Sequence, residues 1–213
     1  MKTIRSLFNR EDTAGIMFTL PFTLGFLFFM IVPMGISLYY SFCKYNILSP
    51  PVFTGLDNFK NMIADGTFLQ TIKVTFFFAF VSVPLKLIFA LLVAMLLLKN
   101  TKMSGIYRAA YYLPSIIGGS VAVAILWKRM FAMDGVVNKL LGSIGIKTSI
   151  SWLGDTKTAI WILILLAVWQ FGSSMLIFLS SLKQIPTSLY EAAMVDGANP
   201  VSRFFKITLP LLT

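Results

Sequence analysis

The chain has 213 residues, of which 57% are hydrophobic and 12% are charged, and its formal net charge is +10. Ordinary soluble domains carry about 25% charged residues, so this composition predicts a membrane protein. The single cysteine excludes an internal disulfide and a cysteine-pair metal site, and the absence of histidine removes the usual general base. We therefore expect no metal, no cofactor and no catalytic residue.

An uncharged run over residues 14–42 predicts the first membrane span. The run is too long for the apolar core of a signal peptide, which has about 7 to 15 residues, and no small-residue cleavage site ends it. We expect it to remain uncleaved, behind a charged N-terminal segment of residues 1–13. Kinks in this span are expected at Pro21, Gly25, Pro33 and Gly35.

A polar connection follows over residues 43–73, and its Pro50-Pro51 pair favours an extended turn. Asp57 and Asn58 are positioned to cap a short amphipathic helix. The apolar face of that helix would carry Phe59, Met62 and Ile63. A surface loop with one helical turn is an adequate alternative.

The second predicted span covers residues 74–98 and contains Pro84 and Lys86. A lysine at the centre of a lipid-facing helix costs about 2.5 to 3.5 kcal/mol on insertion scales, so Lys86 should face the bundle or a wet cavity. We favour a structural role, in which Lys86 pairs with backbone carbonyls that Pro84 leaves free. Contact with an anionic or hydroxylated solute is the functional alternative.

Two more spans are predicted, over residues 106–127 and 159–182, and a fifth apolar segment begins at about residue 208. The third span contains Gly118-Gly119-Ser120, small residues that let helix backbones approach closely. In the fourth, Trp169 and Gln170 could bind sugar hydroxyls through a ring face and an amide. The simpler interpretation, which we favour, is that Gln170 bonds a neighbouring helix.

The polar segment over residues 186–210 has helix start and stop signals of its own. Ser188 and Glu191 have the spacing of a capping box. Gly197 can take the left-handed conformation that ends a helix, and Asn199-Pro200 is typical of the cap and first turn of another. The pattern predicts a helix, a turn and a second helix. A folded loop between spans is the simpler interpretation, and a docking element is the alternative.

The same segment carries a family signature. Glu191 is followed by Ala192 and Ala193, then by Asp196 and, six residues after the glutamate, by Gly197. Ile207 lies ten residues after that glycine, and the motif ends in Leu209 and Pro210. This pattern resembles the cytoplasmic signature loop of bacterial ABC importer permeases.

Other stretches resemble the carbohydrate-uptake branch of that family. They are residues 55–59 after the first span, Arg108 with Leu113-Pro114, and Trp127-Lys128. The resemblance implies an all-α integral membrane protein, a polytopic helical bundle with a single permease domain over residues 1–213 and a coupling loop over residues 186–207. Family members continue for about two further spans, so we expect this chain to be a fragment or a truncated product.

The resemblance also implies a function and a set of partners. The chain would be one of two permease subunits that enclose a path for sugars or oligosaccharides through the bacterial inner or plasma membrane. ABC ATPase subunits would dock on the coupling loop, and an extracellular solute-binding protein would deliver the solute. ATP hydrolysis would occur on the ATPase subunits, so we predict that this chain is not an enzyme.

Topology follows from four crossings, which return the chain to its starting side. The N-terminus and the 183–207 loop therefore share a face. Nine Lys and Arg residues lie in the N-terminus, the 99–108 turn and this loop, against eight in the longer opposite connections. Because that bias is small, the family resemblance assigns the face to the cytoplasm. The spread of basic residues, without a dense block, favours anionic lipid of the bilayer as their partner and no nucleic acid.

Three other functions are considered. A secondary transporter or channel working without ATPases usually has ionisable residues inside the membrane, and Lys86 alone qualifies here. An ABC permease for a non-sugar solute, such as glycerol phosphate, is a closer alternative. A membrane-embedded enzyme ranks third, because all eight acidic residues lie in connections or termini and no nucleophile with a base at readable spacing is present.

Overall fold

The computed structural model describes residues 11–98, 102–146 and 150–212, with side chains from residue 15 onward. Most of the N-terminal segment 1–13 and part of the predicted 99–108 turn lie outside the described residues. The described chain is helical apart from one two-stranded hairpin, which confirms the predicted all-α class. It divides into two units, with the division between Ile72 and Lys73.

The first unit contains one candidate membrane span, the connection after it and the start of the next long helix. Its elements are α1 (Glu11–Phe26), a π-helical turn (Leu27–Ile31), α2 (Val32–Ser41), β1 (Cys43–Asn46), β2 (Ser49–Phe53) and α3 (Asp57–Ala64). The helices from Gly15 to Ser41 form a continuous apolar element of 27 residues, long enough to cross a bilayer.

The first span departs from α geometry at the π-helical turn. There the Val32 N–H donates to the Leu27 carbonyl, five residues earlier. Pro33 follows, and because proline has no N–H and its ring crowds the carbonyl four residues back, a widened turn before it relieves the clash. Pro21 lies inside α1 without such a break.

The connection after the span forms an antiparallel hairpin instead of a simple extended turn. Cys43 lies opposite Phe53, and Asn46 lies opposite Ser49, with an irregularity between Lys44 and Asn46. Since Pro50-Pro51 has no N–H to give to a ladder, the pair is compatible with the outer edge of a two-stranded hairpin.

Helix α3 is present as predicted, but the predicted cap is wrong. Its N-cap is Leu56, which makes no side-chain cap bond. The Asn58 amide instead donates to the carbonyls of Ser41 and Cys43, each at 2.9 Å. Carbonyls at a helix end need partners, so Asn58 satisfies the end of α2 and ties α3 to it.

The second unit contains the remaining helices. They are the greater part of α4 (Gly66–Leu96), α5 (Ser104–Ile117), α6 (Val121–Met130), α7 (Val136–Ser143), α8 (Thr156–Trp169), α9 (Gly172–Gln184), α10 (Thr187–Val195) and α11 (Pro200–Arg203), followed by a π-helical turn (Phe204–Thr208) and a 3-10 turn (Pro210–Leu212). The core lies between α4 and α9. Its buried residues are Ala90, Val93, Ala94, Leu97, Phe171, Met175, Leu179, Leu182 and Ile185.

Helix α4 begins eight residues before the predicted span start at residue 74. The Asp65 carboxylate accepts a hydrogen bond from the Thr67 N–H at 2.9 Å, which caps the helix at this earlier position. The resulting helix of 31 residues is long and apolar enough to cross the membrane with several residues to spare.

The third and fourth predicted spans are each two helices and not one. Helices α5 and α6 meet at 96°, and α8 and α9 meet at 43°. At the sharper bend, the Ser120 hydroxyl accepts from the Val123 N–H at 3.3 Å and caps α6. The described chain therefore has two single-helix spans, or four if each bent pair counts as one.

Helices α5 and α9 approach closely where the fourth span bends. The Ser115 hydroxyl donates to the Gln170 carbonyl at 3.0 Å and accepts from the Ser173 N–H at 3.1 Å. A Cβ on Gly172 would lie 2.7 Å from the Cα of Tyr112. The absence of a side chain at Gly172 is thus a condition of this packing.

We predict that Gly172→Ala lowers the thermal midpoint of the detergent-solubilised protein. The added methyl group forces the α5 backbone to move, and such overpacking costs about 1 to 3 kcal/mol. The matched control is Gly119→Ala, because a Cβ there meets nothing within 4 Å. Equal midpoints for the two variants would show that α5 and α9 do not depend on the close approach.

Candidate functional site

The first helix of the signature loop, α10, begins at Thr187 with Pro186 as its N-cap and without a side-chain cap bond. The predicted capping box is therefore wrong. A capping side chain must precede the first helical residue, and Ser188 lies inside the helix. The extended backbone of Pro186, with ψ 131°, sets the start of the helix and leaves Glu191 without a capping role.

Gly197 ends α10 as predicted. Its φ is +75°, in the left-handed region. Its N–H donates to the Met194 carbonyl at 3.1 Å, and the Ala198 N–H donates to the Ala193 carbonyl at 2.8 Å. This pair of bonds is a Schellman motif. Because a Cβ on Gly197 would meet nothing within 4 Å, the backbone conformation and not space requires glycine here.

The second helix starts at the predicted residues. The Asn199 side-chain oxygen accepts from the Ser202 N–H at 2.7 Å, and Pro200 occupies the first helical position. After one turn the helix widens, because the Leu209 N–H donates to the Phe204 carbonyl at 2.8 Å, again five residues back. Pro210 follows directly. The π-helical turn thus precedes a proline, as it does in the first span.

A hydrogen bond that the sequence did not indicate joins the two halves of the loop. The Tyr190 hydroxyl lies 2.9 Å from the hydroxyl of Thr208, which is buried. The Tyr190 ring packs against the core between α4 and α9. Tyr190 therefore fixes the inner face of α10 to the membrane-spanning helices, while the adjacent Glu191 is exposed.

The outer face of the loop is an exposed surface of mixed character. Among the signature residues, Glu191, Ala192, Asp196, Gly197, Leu209 and Pro210 are exposed, and Ala193 and Ile207 are half-buried. Large apolar side chains accompany them, with Val195 89% and Val201 64% exposed. In the described residues neither acidic side chain of this surface makes an ion pair. The surface can therefore offer a partner both apolar area and free carboxylates.

Lys86 lies on the interior stripe of α4, as expected. It is half-buried, and Ser82, Ala90 and Ala94 on the same helical face are buried. Within the described residues the Lys86 ammonium makes no hydrogen bond to the carbonyls near Pro84. The pairing that we favoured is thus absent from the part of the chain that the structure describes.

Trp169 and Gln170 lie together at the bend between α8 and α9. The Gln170 amide donates to the Leu166 carbonyl of its own helix at 3.4 Å, and not to a neighbouring helix as we favoured. Its side chain also rests against Gly118, where a Cβ would collide with it. Gln170 lines a cavity of about 410 Å³ between α4 and α8, whose other walls are mostly apolar and do not include Lys86.

An aromatic cluster adjoins this bend. The Trp169 ring lies 5.6 Å from the ring of Trp127, which lies 5.3 Å from Phe131. The buried indole N–H of Trp127 has no hydrogen-bond partner within the described residues. Trp127 matches the family resemblance in sequence, but no short-range pattern connects it with Trp169, which lies 42 positions later. In the part of the chain that the structure describes, no group of three or more His, Cys, Asp or Glu side chains could hold a metal ion.

Residues 61–213 match the family model described as "Binding-protein-dependent transport system inner membrane component". The chain belongs to this family, the membrane permeases of ABC transporters. Over its whole length it is 54% identical to the "Probable ABC transporter permease protein YesP" of Bacillus subtilis, of which it covers 69%. Over 92% of its length it is 32% identical to the "Probable starch degradation products transport system permease protein AmyD" of Thermoanaerobacterium thermosulfurigenes. The chain spans 66% of that relative.

Solved structures show the same fold. One match is a chain of a bacterial ABC transporter involved in the import of the acidic polysaccharide alginate. It aligns with all of this chain at a TM-score of 0.78 and 24% identity, and the alignment covers 71% of its own length. A second match is a chain of a bacterial alginate ABC transporter in complex with an alginate pentasaccharide-bound periplasmic protein. It aligns with 94% of this chain at a TM-score of 0.76 and 25% identity, and the alignment covers 67% of its own length. The chain therefore has the fold of these ABC transporter chains.

We predict that Lys86→Met inserts into the membrane at least as well as the wild type, whereas Lys86→Asp inserts less well. Methionine keeps the length of the side chain and removes a burial cost of about 2.5 to 3.5 kcal/mol, while aspartate keeps a comparable cost on a shorter side chain that cannot reach polar groups. The measurement is the yield of folded protein in the membrane fraction.

Uptake measured in the assembled importer then separates the two roles of Lys86. Normal insertion of Lys86→Met with lost uptake assigns the ammonium to the solute path or to gating. Poor insertion of Lys86→Met, equal to that of the aspartate variant, would contradict the prediction and show that the fold needs the charge.

Proposed function

We propose that this chain is a permease subunit of an ATP-driven importer of sugars or oligosaccharides, and that residues 186–207 couple it to ATPase subunits. The observation that carries the proposal is the rigid construction of an exposed loop. Tyr190 holds its inner face to the core, and Gly197 and Asn199 fix the turn between its helices. On its outer face Glu191 lies beside the small side chain of Ala192.

Coupling follows from this construction. A partner that binds the outer face and moves must move α10, and Tyr190 transmits that displacement to α9 and α4 through the core. Glu191 would provide a charge-assisted hydrogen bond to the partner, worth about 1.5 to 3 kcal/mol. Gly197 would provide the shape of the surface.

The remaining assignments rest on membership of the family and on the named similarities. We propose a second permease subunit and a solute-binding protein as partners, and a single permease domain over residues 1–213. The N-terminus and the 183–207 loop would face the cytoplasm. An oligosaccharide cargo is supported by the similarity to AmyD, named for the transport of starch degradation products, and to a transporter involved in the import of the polysaccharide alginate. Trp169, Gln170 and Lys86 are the candidates for contact with it.

We predict that Glu191→Ala, Ala192→Arg and Gly197→Val leave membrane insertion intact and weaken capture of the ATPase subunit that co-purifies with the wild-type importer. Gly197→Val should have the largest effect, because a β-branched residue at positive φ displaces the whole surface and not one contact on it. Glu191→Ala should reduce affinity by about tenfold or more, from the loss of one charge-assisted bond. Capture is measured by pull-down with quantified ATPase.

The matched control is Gly145→Val. Gly145 also has positive φ, +87°, and a Cβ there meets nothing within 4 Å, but the residue lies after α7 and outside the loop. Its substitution should leave capture unchanged.

The proposed orientation has its own test. Inside-out vesicles should bind the ATPase, and right-side-out vesicles should not. Wild-type capture by all three loop variants, or binding only to right-side-out vesicles, would contradict the coupling assignment or the orientation, respectively.

A further inference from the structure

The hairpin after the first span carries an unusually apolar turn. Ile47 is 90% exposed and Leu48 is 93% exposed, and Val52 and Phe53 on β2 are also exposed. Exposed large apolar side chains grouped on one short hairpin indicate a site that another molecule or a membrane covers. The question is which of the two covers it.

The hairpin is held beside the end of the span. The Tyr45 ring stacks on the ring of Tyr40, in the last turn of α2, with centroids 4.4 Å apart and an interplanar angle of 15°. The Asn58 amide binds the carbonyls on both sides of the junction, and Phe42 packs on Phe59 at 5.3 Å. Together these contacts hold the base of the hairpin at the last turn of α2.

Distances favour the membrane interface as the location of the turn. A strand of four residues is about 13 Å long. The interfacial layer on each side of the bilayer core is roughly 5 to 8 Å thick. The turn therefore lies within reach of this layer, because β1 begins two residues after Ser41, the last residue of the span.

The chemistry of the hairpin suits the same location. From residue 39 to residue 53 there is a single charged side chain, Lys44, whose long apolar stem can lie along lipid while its ammonium reaches the headgroups. Pro50 and Pro51 have no N–H to desolvate on β2. The Asn46 side chain accepts from the Leu48 N–H at 3.3 Å, which satisfies a donor at the turn itself. Tyrosines near span ends are typical of the interfacial belt.

We propose that the hairpin inserts Ile47 and Leu48 into the interfacial layer of the lipid bilayer and anchors the end of the first span there. Lipid is the occupant because Ile47 lies six residues after Ser41, the last residue of the span, and no residue in the apolar window of Gly15–Ser41 is buried. The anchor is independent of the solute and of the ATPase.

The test uses the whole chain with Leu48→Cys, labelled with an environment-sensitive nitrobenzoxadiazole dye and reconstituted in vesicles of phosphatidylcholine and phosphatidylglycerol. Unsubstituted protein is the labelling blank, because its one cysteine, Cys43, is buried. Lys60→Cys is the matched control on α3, since the Lys60 side chain is 75% exposed and polar. A second site, Ile47→Cys, checks that the result does not depend on one substitution.

We expect blue-shifted emission at both turn positions, and at least twofold stronger quenching by a lipid carrying a shallow doxyl group than at the Lys60 position. Water-like emission at both turn positions with no lipid quenching would overturn the proposal. Emission that shifts to the blue only after a solute-binding protein is added would overturn it too, because the surface would then be a protein contact.

Discussion

The contact on which the signature loop depends most is the one between Tyr190 and Thr208. Adjacent residues of α10 have opposite environments: Tyr190 packs against the core, and Glu191 is exposed to solvent. The hydroxyl pair contributes about 0.5 to 1.5 kcal/mol on its own. Its larger effect is geometric, because it joins two residues 18 positions apart, and the segment between them is already fixed by the Schellman motif and the Asn199 cap. A loop closed in this way can transmit a displacement instead of absorbing it.

Proline has the same local consequence at two places in the chain. Pro33 and Pro210 each follow a π-helical turn that is closed by a bond to a carbonyl five residues back. One extra residue per turn moves the preceding carbonyls away from the proline ring, and the helix continues without a gap. At Pro210 the widened turn places Thr208 against Tyr190. The proline that ends the family signature is therefore part of the geometry that anchors the loop.

Local features of the fold followed from the sequence, and non-local ones did not. Gly197 and Asn199 were predicted because their roles depend on neighbours a few residues away. The Ser188 capping box failed because Pro186 set an earlier start. Tyr190 and Thr208 meet across 18 residues, and no short-range spacing encodes such a pair.

Bends within the spans and the pairing of the two strands also could not be predicted from the sequence. Hydropathy counts apolar residues and does not report direction, so it could not distinguish one span over residues 106–127 from two helices at 96°. Adjacent prolines argue against a central strand, because they cannot donate N–H groups to a strand on either side. In a two-stranded hairpin each strand has one free edge, so prolines are compatible with it. Asn58 had the right chemistry for a cap, but it caps the end of α2 and not the start of α3.

If Tyr190 anchors the loop as proposed, the loop moves as one body with α9. The most direct measurement is the distance between spin labels at Ile177 on α9 and at Val195 on α10, residues that are 67% and 89% exposed. It is made by pulsed electron paramagnetic resonance in the assembled importer, with and without ATP. We expect one narrow distance distribution that is the same in both states and broadens in Tyr190→Phe. A distribution that shifts on addition of ATP, with Tyr190 in place, would show that the loop bends on its own and does not move as one body with α9.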